Sequence, residues 1–231
     1  MEPMRVARSM DRTGWTPLVD PPGEIPSGGS EVTAFTSENG SFTCGFWERE
    51  PDTWSFSRPY DEVAFVLAGS AEIETDEGRT LSVRAGDVLV TPNGSKGTWH
   101  VREPLLKCFA IYEGGPVADT TVRVFGRDDD VSWTLLETAP EDPNPPGEEW
   151  YAWRSSDGRF SAGVWRRVAE TGPMTLAYDE VALLLDGEVD VEGGGSTSSA
   201  GPGDLLVTPK GFSGTWRAKT PVRKFWAVHH G

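Results

Sequence analysis

The sequence predicts an all-β protein made of two tandem barrels or sandwiches, and three observations carry that prediction. A stretch that begins Tyr60-Asp61-Glu62-Val63-Ala64 and resumes from Gly86-Asp87 to Gly97-Thr98-Trp99 recurs as Tyr178-Asp179-Glu180-Val181-Ala182 and as Gly203-Asp204 to Gly214-Thr215-Trp216. Short runs of alternating apolar residues are punctuated by Gly and Pro, as half-buried strands and their turns require. No long segment carries a helical period, and Asp128 to Thr138 is the one candidate for a short helix.

The duplication sets the domain organisation. Arg5-Val6 matches Arg123-Val124, Trp15-Thr16 matches Trp133-Thr134, and Gly40-Ser41-Phe42 matches Gly158-Arg159-Phe160, all displaced by 118 positions; from Gly86 and Gly203 onward the displacement is 117, so Lys107 matches Lys224. Two complete units are expected end to end, over residues 1–115 and 116–231, with Gly114-Gly115-Pro116 as the joint. Units of about 115 residues are long enough for each to bury its own core.

Each unit should begin with a hairpin. Val32 to Phe35 and Phe42 to Trp47 flank Asn39-Gly40, and the matching segments flank Asp157-Gly158; Asn-Gly and Asp-Gly supply the positive φ that a tight turn needs. Ala71 to Thr75 and Leu81 to Val83 alternate around Asp76-Glu77-Gly78, a second hairpin. Leu105 to Tyr112 and Val222 to Val228, rich in branched and aromatic residues, are closing strands. Asp20 to Ser30 and Ala139 to Glu149, crowded with Pro and Gly, are expected as surface loops, and Gly193 to Ser199 as an exposed hairpin tip.

Composition excludes several function classes. The net charge of −15 argues against nucleic acid, whose phosphates call for clustered Lys and Arg. No apolar run approaches the ~20 residues of a membrane span, and Met1 to Arg5 leads into no apolar signal segment, so the expected setting is the cytoplasm. Two cysteines, Cys44 and Cys108, face Ala162 and Phe225 in the other copy; two buried free thiols are expected rather than a disulfide.

Glu62 and Gly69, followed by Gly86, Pro92 and Gly94, stand at the spacing of the two motifs of the cupin superfamily, and both units show it. The Gly-Thr-Trp ending, with Lys107 or Lys224 eight residues beyond the Trp, resembles the cupin subfamily that includes ureidoglycine aminohydrolase and ethanolamine-utilisation proteins. The resemblance implies a bicupin of two double-stranded β-helix (jelly-roll) barrels, each with a pocket at one mouth. It also implies where a divalent metal would be held: Phe56, Arg58, Glu62 and Gly97 in the first unit, and Met174, Leu176, Glu180 and Gly214 in the second. Of these only the Glu residues suit a metal, because Phe, Met, Leu and Gly offer no donor and Arg repels a cation. Of the three histidines, His100 points away from the side taken by Trp99, and His229 and His230 read as a frayed tail. No metal and no other cofactor is expected.

By the same resemblance the former ligand positions still point inward. In the first pocket Glu62 would act as general acid or base, Arg58 would clamp a carboxylate or phosphate or else pair structurally with Glu62, and Tyr60 would donate a proton. Phe56, Trp54, Trp99 and Lys96 would line or rim it. The second pocket would present Met174, Leu176, Glu180 and Trp216, with Glu180 lacking an obvious partner. Gly97 and Gly214 would leave room for a ligand, while Lys107 and Lys224 read as structural.

Three functions compete. The first is metal-independent proton-transfer chemistry, of isomerase, lyase or cyclase type, on a small polar or anionic metabolite in the N-terminal barrel. The second is a non-catalytic ligand-binding or regulatory bicupin, and the third a metal-dependent, aminohydrolase-like cupin with non-standard ligands. The expected partner is a small molecule, with no nucleic acid or membrane, and monomer and homodimer both fit.

Overall fold

The computed structural model describes residues 4–9, 11–18, 28–126, 129, 131–136 and 147–231. Its strands are β1 (Arg5–Arg8), β2 (Thr16–Pro17), β3 (Ser30–Thr36), β4 (Phe42–Arg49), β5 (Thr53–Ser57), β6 (Tyr60–Thr75), β7 (Thr80–Arg84), β8 (Val88–Thr91), β9 (Lys96–Glu113) and β10 (Arg123–Phe125). The second half supplies β11 (Thr134–Leu135), β12 (Glu148–Arg154), β13 (Phe160–Arg167), β14 (Glu170–Thr175), β15 (Asp179–Asp186), β16 (Val189–Gly193), β17 (Ser196–Ala200), β18 (Asp204–Thr208), β19 (Ser213–Ala218) and β20 (Val222–His229). Among the described residues there is no helix, and none long and apolar enough to cross a membrane. The short helix expected near Asp128 to Thr138 is not formed where that segment is described: Thr134 and Leu135 pair with Glu149 and Glu148 instead, as Thr16 and Pro17 pair with Glu31 and Ser30. Most of the two Pro-rich segments lies outside the described residues.

By its contacts the chain divides into an N-terminal barrel, Asp11–Asp129 with Ser155–Asp157, and a C-terminal barrel, Met1–Met10, Asp130–Arg154 and Gly158–Gly231. This grouping differs from a single cut at Gly114-Gly115-Pro116 because each barrel takes an edge strand from the other half of the sequence. The repeated Arg-Val pair marks that strand. β1 pairs antiparallel with β18, from Arg5 opposite Val207 to Arg8 opposite Asp204, and β10 pairs with β8, Arg123 opposite Val90. A strand edge that would otherwise present unpaired amides is thereby covered.

In the N-terminal barrel the strand order is β10-β8-β6-β9-β4-β3-β2, with β5 and β7 paired to the far ends of β9 and β6. β6 and β9, of 16 and 18 residues, run through both walls, and β6 bends where its register slips between Val66 and Ala71. Gly69 sits at that bend with φ +83°, where a Cβ would lie 2.0 Å from the carbonyl oxygen of Pro104. In the C-terminal barrel Gly187, φ +89°, separates β15 from β16 at the matching place, which leaves two sheets, β1-β18-β15-β20-β13-β12-β11 and β14-β19-β16-β17. The glycine that closes the first motif is thus a corner residue, required by backbone approach rather than by chemistry.

The expected hairpins form. Gly40 (φ +73°), Gly78 (φ +79°) and Gly158 (φ +71°) turn β3 into β4, β6 into β7, and β12 into β13, and Gly194 and Gly195 turn β16 into β17 at an exposed tip. The core of the N-terminal barrel gathers Phe56, Val66, Ile73, Leu89, Trp99 and Leu105, and that of the C-terminal barrel Leu184, Val189, Leu206 and Val222. Cys44 and Cys108 are buried and form no disulfide.

Replacement of Gly69 by Ala should lower the unfolding free energy in urea by about 3 kcal/mol or more, because a left-handed residue costs ~1–2 kcal/mol and the Pro104 carbonyl must move as well. The control, Gly78→Ala, has nothing within 4 Å of its new methyl and should lose only ~1–2 kcal/mol.

Candidate functional site

In the N-terminal barrel, β5 lies against the first half of β9, Trp54 opposite Trp99 and Phe56 opposite Gly97. Alternation along β5 turns Trp54 and Phe56 inward, and Arg58 follows just beyond the strand. Glu62 on β6 meets Lys107 on β9, whose ammonium donates to Glu62 Oε1. Arg58 Nη2 lies 3.2 Å from Glu62 Oε2, and Arg58 Nη1 donates to the Tyr60 hydroxyl at 3.1 Å. The side chains of Glu62 and Lys107 are 4% and 5% exposed. Burial pushes the Glu62 carboxyl up, but the charges of Lys107 and Arg58 and the Lys107 hydrogen bond outweigh it and hold the group below its ordinary 4.5. Burial pulls Lys107 below its ordinary value, against the attraction of Glu62, and burial, then Glu62, raises Tyr60.

Aromatic rings fill what remains. Lys107 Nζ stands 4.7 Å from the Trp47 ring centroid and 5.8 Å from that of Trp99. Trp54 stacks on Trp99 at 5.8 Å with planes 9° apart, and the Arg49 guanidinium lies over the Trp54 ring at 3.8 Å.

The C-terminal barrel repeats the carboxylate–ammonium pair and omits the filling. Lys224 Nζ donates to Glu180 Oε1 at 2.5 Å and stands 5.0 and 5.4 Å from the Trp165 and Trp216 rings. Gly172 stands where the other barrel has Trp54, Met174 where it has Phe56, and Leu176 where it has Arg58. A Cβ on Gly172 would meet nothing within 4 Å. The mouth of this barrel accordingly opens into a cavity of about 1130 Å³, whose lining includes Gly172, Met174, Leu176, Glu180, Trp216 and Lys224. Tyr178 also lines it, with its hydroxyl pushed up to about 12 by burial and by Glu180. So does Trp226, whose indole Nε1 is buried with no hydrogen-bond partner among the described residues; the first barrel has Phe109 there.

The structure thus brings together Glu62, Arg58 and Tyr60, with Phe56, Trp54 and Trp99 packed beside them. It places Met174, Leu176, Glu180 and Trp216 around one cavity. Lys96 stays apart, exposed on β9 one residue from inward-facing Gly97. Three expectations are corrected. Glu180 does have a partner, Lys224. Gly97 and Gly214 leave no ligand space, because a Cβ on Gly97 would come within 3.1 Å of the Phe56 ring, and on Gly214 within 2.9 Å of Phe212. His229 is not frayed: it is 1% exposed, with Nδ1 3.6 Å from Asp179. Lys107 and Lys224 were read from the sequence as structural, and what that reading missed is their pairing with the motif carboxylates. Each is an inward cation in an apolar strand, which needs an inward acid to face it.

The divalent metal that the resemblance implies does not fit these residues. A Lys ammonium occupies one oxygen of each motif carboxylate, the positions around it carry Phe56, Arg58 and Gly97 or Met174, Leu176 and Gly214, and no group of three or more His, Cys, Asp or Glu among the described residues is placed to hold an ion.

Substitution of Lys107 by Met should cost about 3 kcal/mol, the low end for breaking a buried ion pair, because Arg58 still faces the other carboxylate oxygen. Its pH dependence is specific. Glu62 is depressed in the folded state, so its contribution is fully present above the ordinary carboxylate range and is lost as pH falls through the lower folded value. Without Lys107, burial drives Glu62 upward, and the acid limb of a stability-versus-pH curve should move to higher pH.

Comparison with known proteins bears on the family and the fold. Residues 36–109 and 154–226 match the EutQ-like cupin domain family. A 51-residue stretch is 43% identical to Acetate kinase EutQ of Salmonella typhimurium, covering 22% of each protein, and a 53-residue stretch is 36% identical to Acetate kinase EutQ of Clostridioides difficile, covering 23% of this chain and 33% of that one. The matches therefore span a third or less of those relatives. A crystal structure of a protein of unknown function from Pseudomonas syringae pv. tomato superposes over 97% of this chain and 98% of its own, with TM-score 0.77 at 20% identity, a likeness of fold. With the match present once in each half, the chain belongs to the EutQ-like cupin domain family and is built of two tandem cupin barrels.

Proposed function

We propose that the protein binds a small organic molecule in the C-terminal barrel, without a divalent metal, and that the N-terminal barrel is its filled counterpart. The observation that carries this reading is the exchange of Trp54 for Gly172. In one barrel an indole stacked on Trp99 closes the interior; in the other the same position is bare and a cavity of about 1130 Å³ opens beside Trp216. A concave site that joins aromatic faces such as Trp165, Trp216 and Trp226 with convergent polar groups is what a small-molecule site requires. The ammonium of Lys224 supplies the counter-charge that a metal would otherwise provide to Glu180.

A second reading is proton-transfer catalysis in the N-terminal barrel, by Glu62 with Arg58 and Tyr60 on a small polar or anionic metabolite. The mutual approach of these three groups favours it. It requires Arg58 to leave Glu62 and Trp54 to leave Trp99 before a substrate enters. Phosphoryl transfer, suggested by the relatives' names, is not carried over from matches of this length.

Thermal-shift screening of small amines, acids, sugars and aromatics tests both. A ligand should raise the melting temperature of the wild type and leave Gly172→Trp, which rebuilds the filling of the other barrel, unshifted. An equal shift in both proteins would sink the binding reading. A ligand recovered chemically altered by the wild type but intact from Glu62→Gln would instead establish the second.

A further inference from the structure

The two pockets are copies of one another, and the filled one shows what the open one lacks. In the N-terminal barrel Glu62 is held by two cations, Lys107 at Oε1 and Arg58 at Oε2, and a planar indole, Trp54, lies on Trp99. In the C-terminal barrel Glu180 keeps Lys224 at Oε1, and among the described residues that is its one cationic partner. Leu176 stands in place of Arg58 and Gly172 in place of Trp54. The consequence is visible at the platform: Trp99 is 1% exposed, whereas Trp216 is half-buried and lines the cavity.

From this correspondence we infer that the C-terminal cavity takes an organic cation with a planar aromatic part, an arylalkylamine or aromatic amidine, whose ring stacks on Trp216 and whose cationic head pairs with Glu180. The inference rests on the cavity being a ligand site, as proposed above, and adds the chemical class of its occupant.

Two cations around one buried carboxylate is an arrangement this sequence already sustains at Glu62, so Lys224 does not exclude a ligand cation. Of the other cationic groups of the cavity, Arg167 is answered by Glu170 at 2.8 Å, and Arg154 lies over the exposed Tyr151 ring at 4.3 Å, out at the surface rather than beside Glu180. Glu149 adds an acidic group to the lining, and the net charge of −15 favours the approach of cations over anions. A cation above an aromatic face and beside a carboxylate gains from both, most of all where water is thin.

Isothermal titration of tryptamine, indole and indole-3-acetate into the purified protein tests the class. The wild type should bind tryptamine at least about tenfold more tightly than either of the others, the ratio expected for a charge-assisted contact. Leu176→Arg, which recreates the internal guanidinium, should erase that preference while indole affinity stays within about threefold. Glu180→Gln should do the same, and Gly172→Trp should abolish binding of all three probes, with each variant's melting curve confirming that it folds. Tighter binding of indole-3-acetate, or a tryptamine preference that survives Leu176→Arg, overturns the cationic class and leaves the cavity as a ligand site. Binding of none of the three also overturns the inference; the broader thermal-shift screen then decides whether the cavity reading falls with it.

Discussion

A carboxylate taken out of water must be answered by a positive charge, and in both halves of this protein that answer is a lysine from the closing strand. Desolvation opposes ionisation of Glu62 and of Lys107 alike, and their direct contact, helped at Glu62 by Arg58, keeps them charged together. The indole faces of Trp47 and Trp99 around the ammonium recover part of what it loses in hydration. The same three-part arrangement, acid, ammonium and two indoles, recurs at Glu180, Lys224, Trp165 and Trp216. Everything that distinguishes the two pockets is built around this shared centre.

That centre explains why a cupin motif persists without metal-binding residues around it. A divalent ion needs three or four donors converging from several strands, and so constrains every one of those positions. An ammonium on one oxygen asks little of the other positions, and they have diverged. Phe56 and Met174 fill space, and Arg58 adds a second cation. Leu176 adds none, and the glycines at 97 and 214 accommodate neighbouring rings. The carboxylate remains because removing it would leave a buried ammonium unpaired.

Much of the fold was legible because its signals are local. The Asn-Gly and Asp-Gly turns and the alternating runs beside them each constrain a few adjacent residues, and the repeat at an offset of 118 carries the same reading into the second half. The exchange of β1 and β10 was not legible, since an alternating Arg-Val segment looks the same whichever sheet receives it and its partner is remote in sequence. In the site, the motif carboxylates stood out, but Lys107 was read as structural because it occurs in both copies. Its place between Leu105 and Phe109, both buried, was the usable signal: a charge on the inward side of a strand must have a counter-charge within reach. The pairing of Trp54 with Gly172 was also visible in the sequence. Its consequence, an open cavity in the second barrel, depends on what no alignment of the two halves states, namely that Trp54 is packed against Arg49 and Trp99 rather than standing at the rim.

Duplication lets one copy spend its pocket on stability while the other keeps it open. Burying an indole the size of Trp54 contributes on the order of 2–3 kcal/mol of apolar transfer, with stacking on Trp99 adding ~1 kcal/mol. An unfilled cavity forgoes those contacts, and a domain whose net stability is only some 5–15 kcal/mol feels the loss. Selection for folding alone would therefore fill both barrels alike. The C-terminal barrel keeps Gly172 in a strand, where glycine also weakens the strand itself. That is a cost to folding with no return inside the barrel, and its place directly opposite Trp216 is what a site shaped for a ligand, rather than for packing, would show.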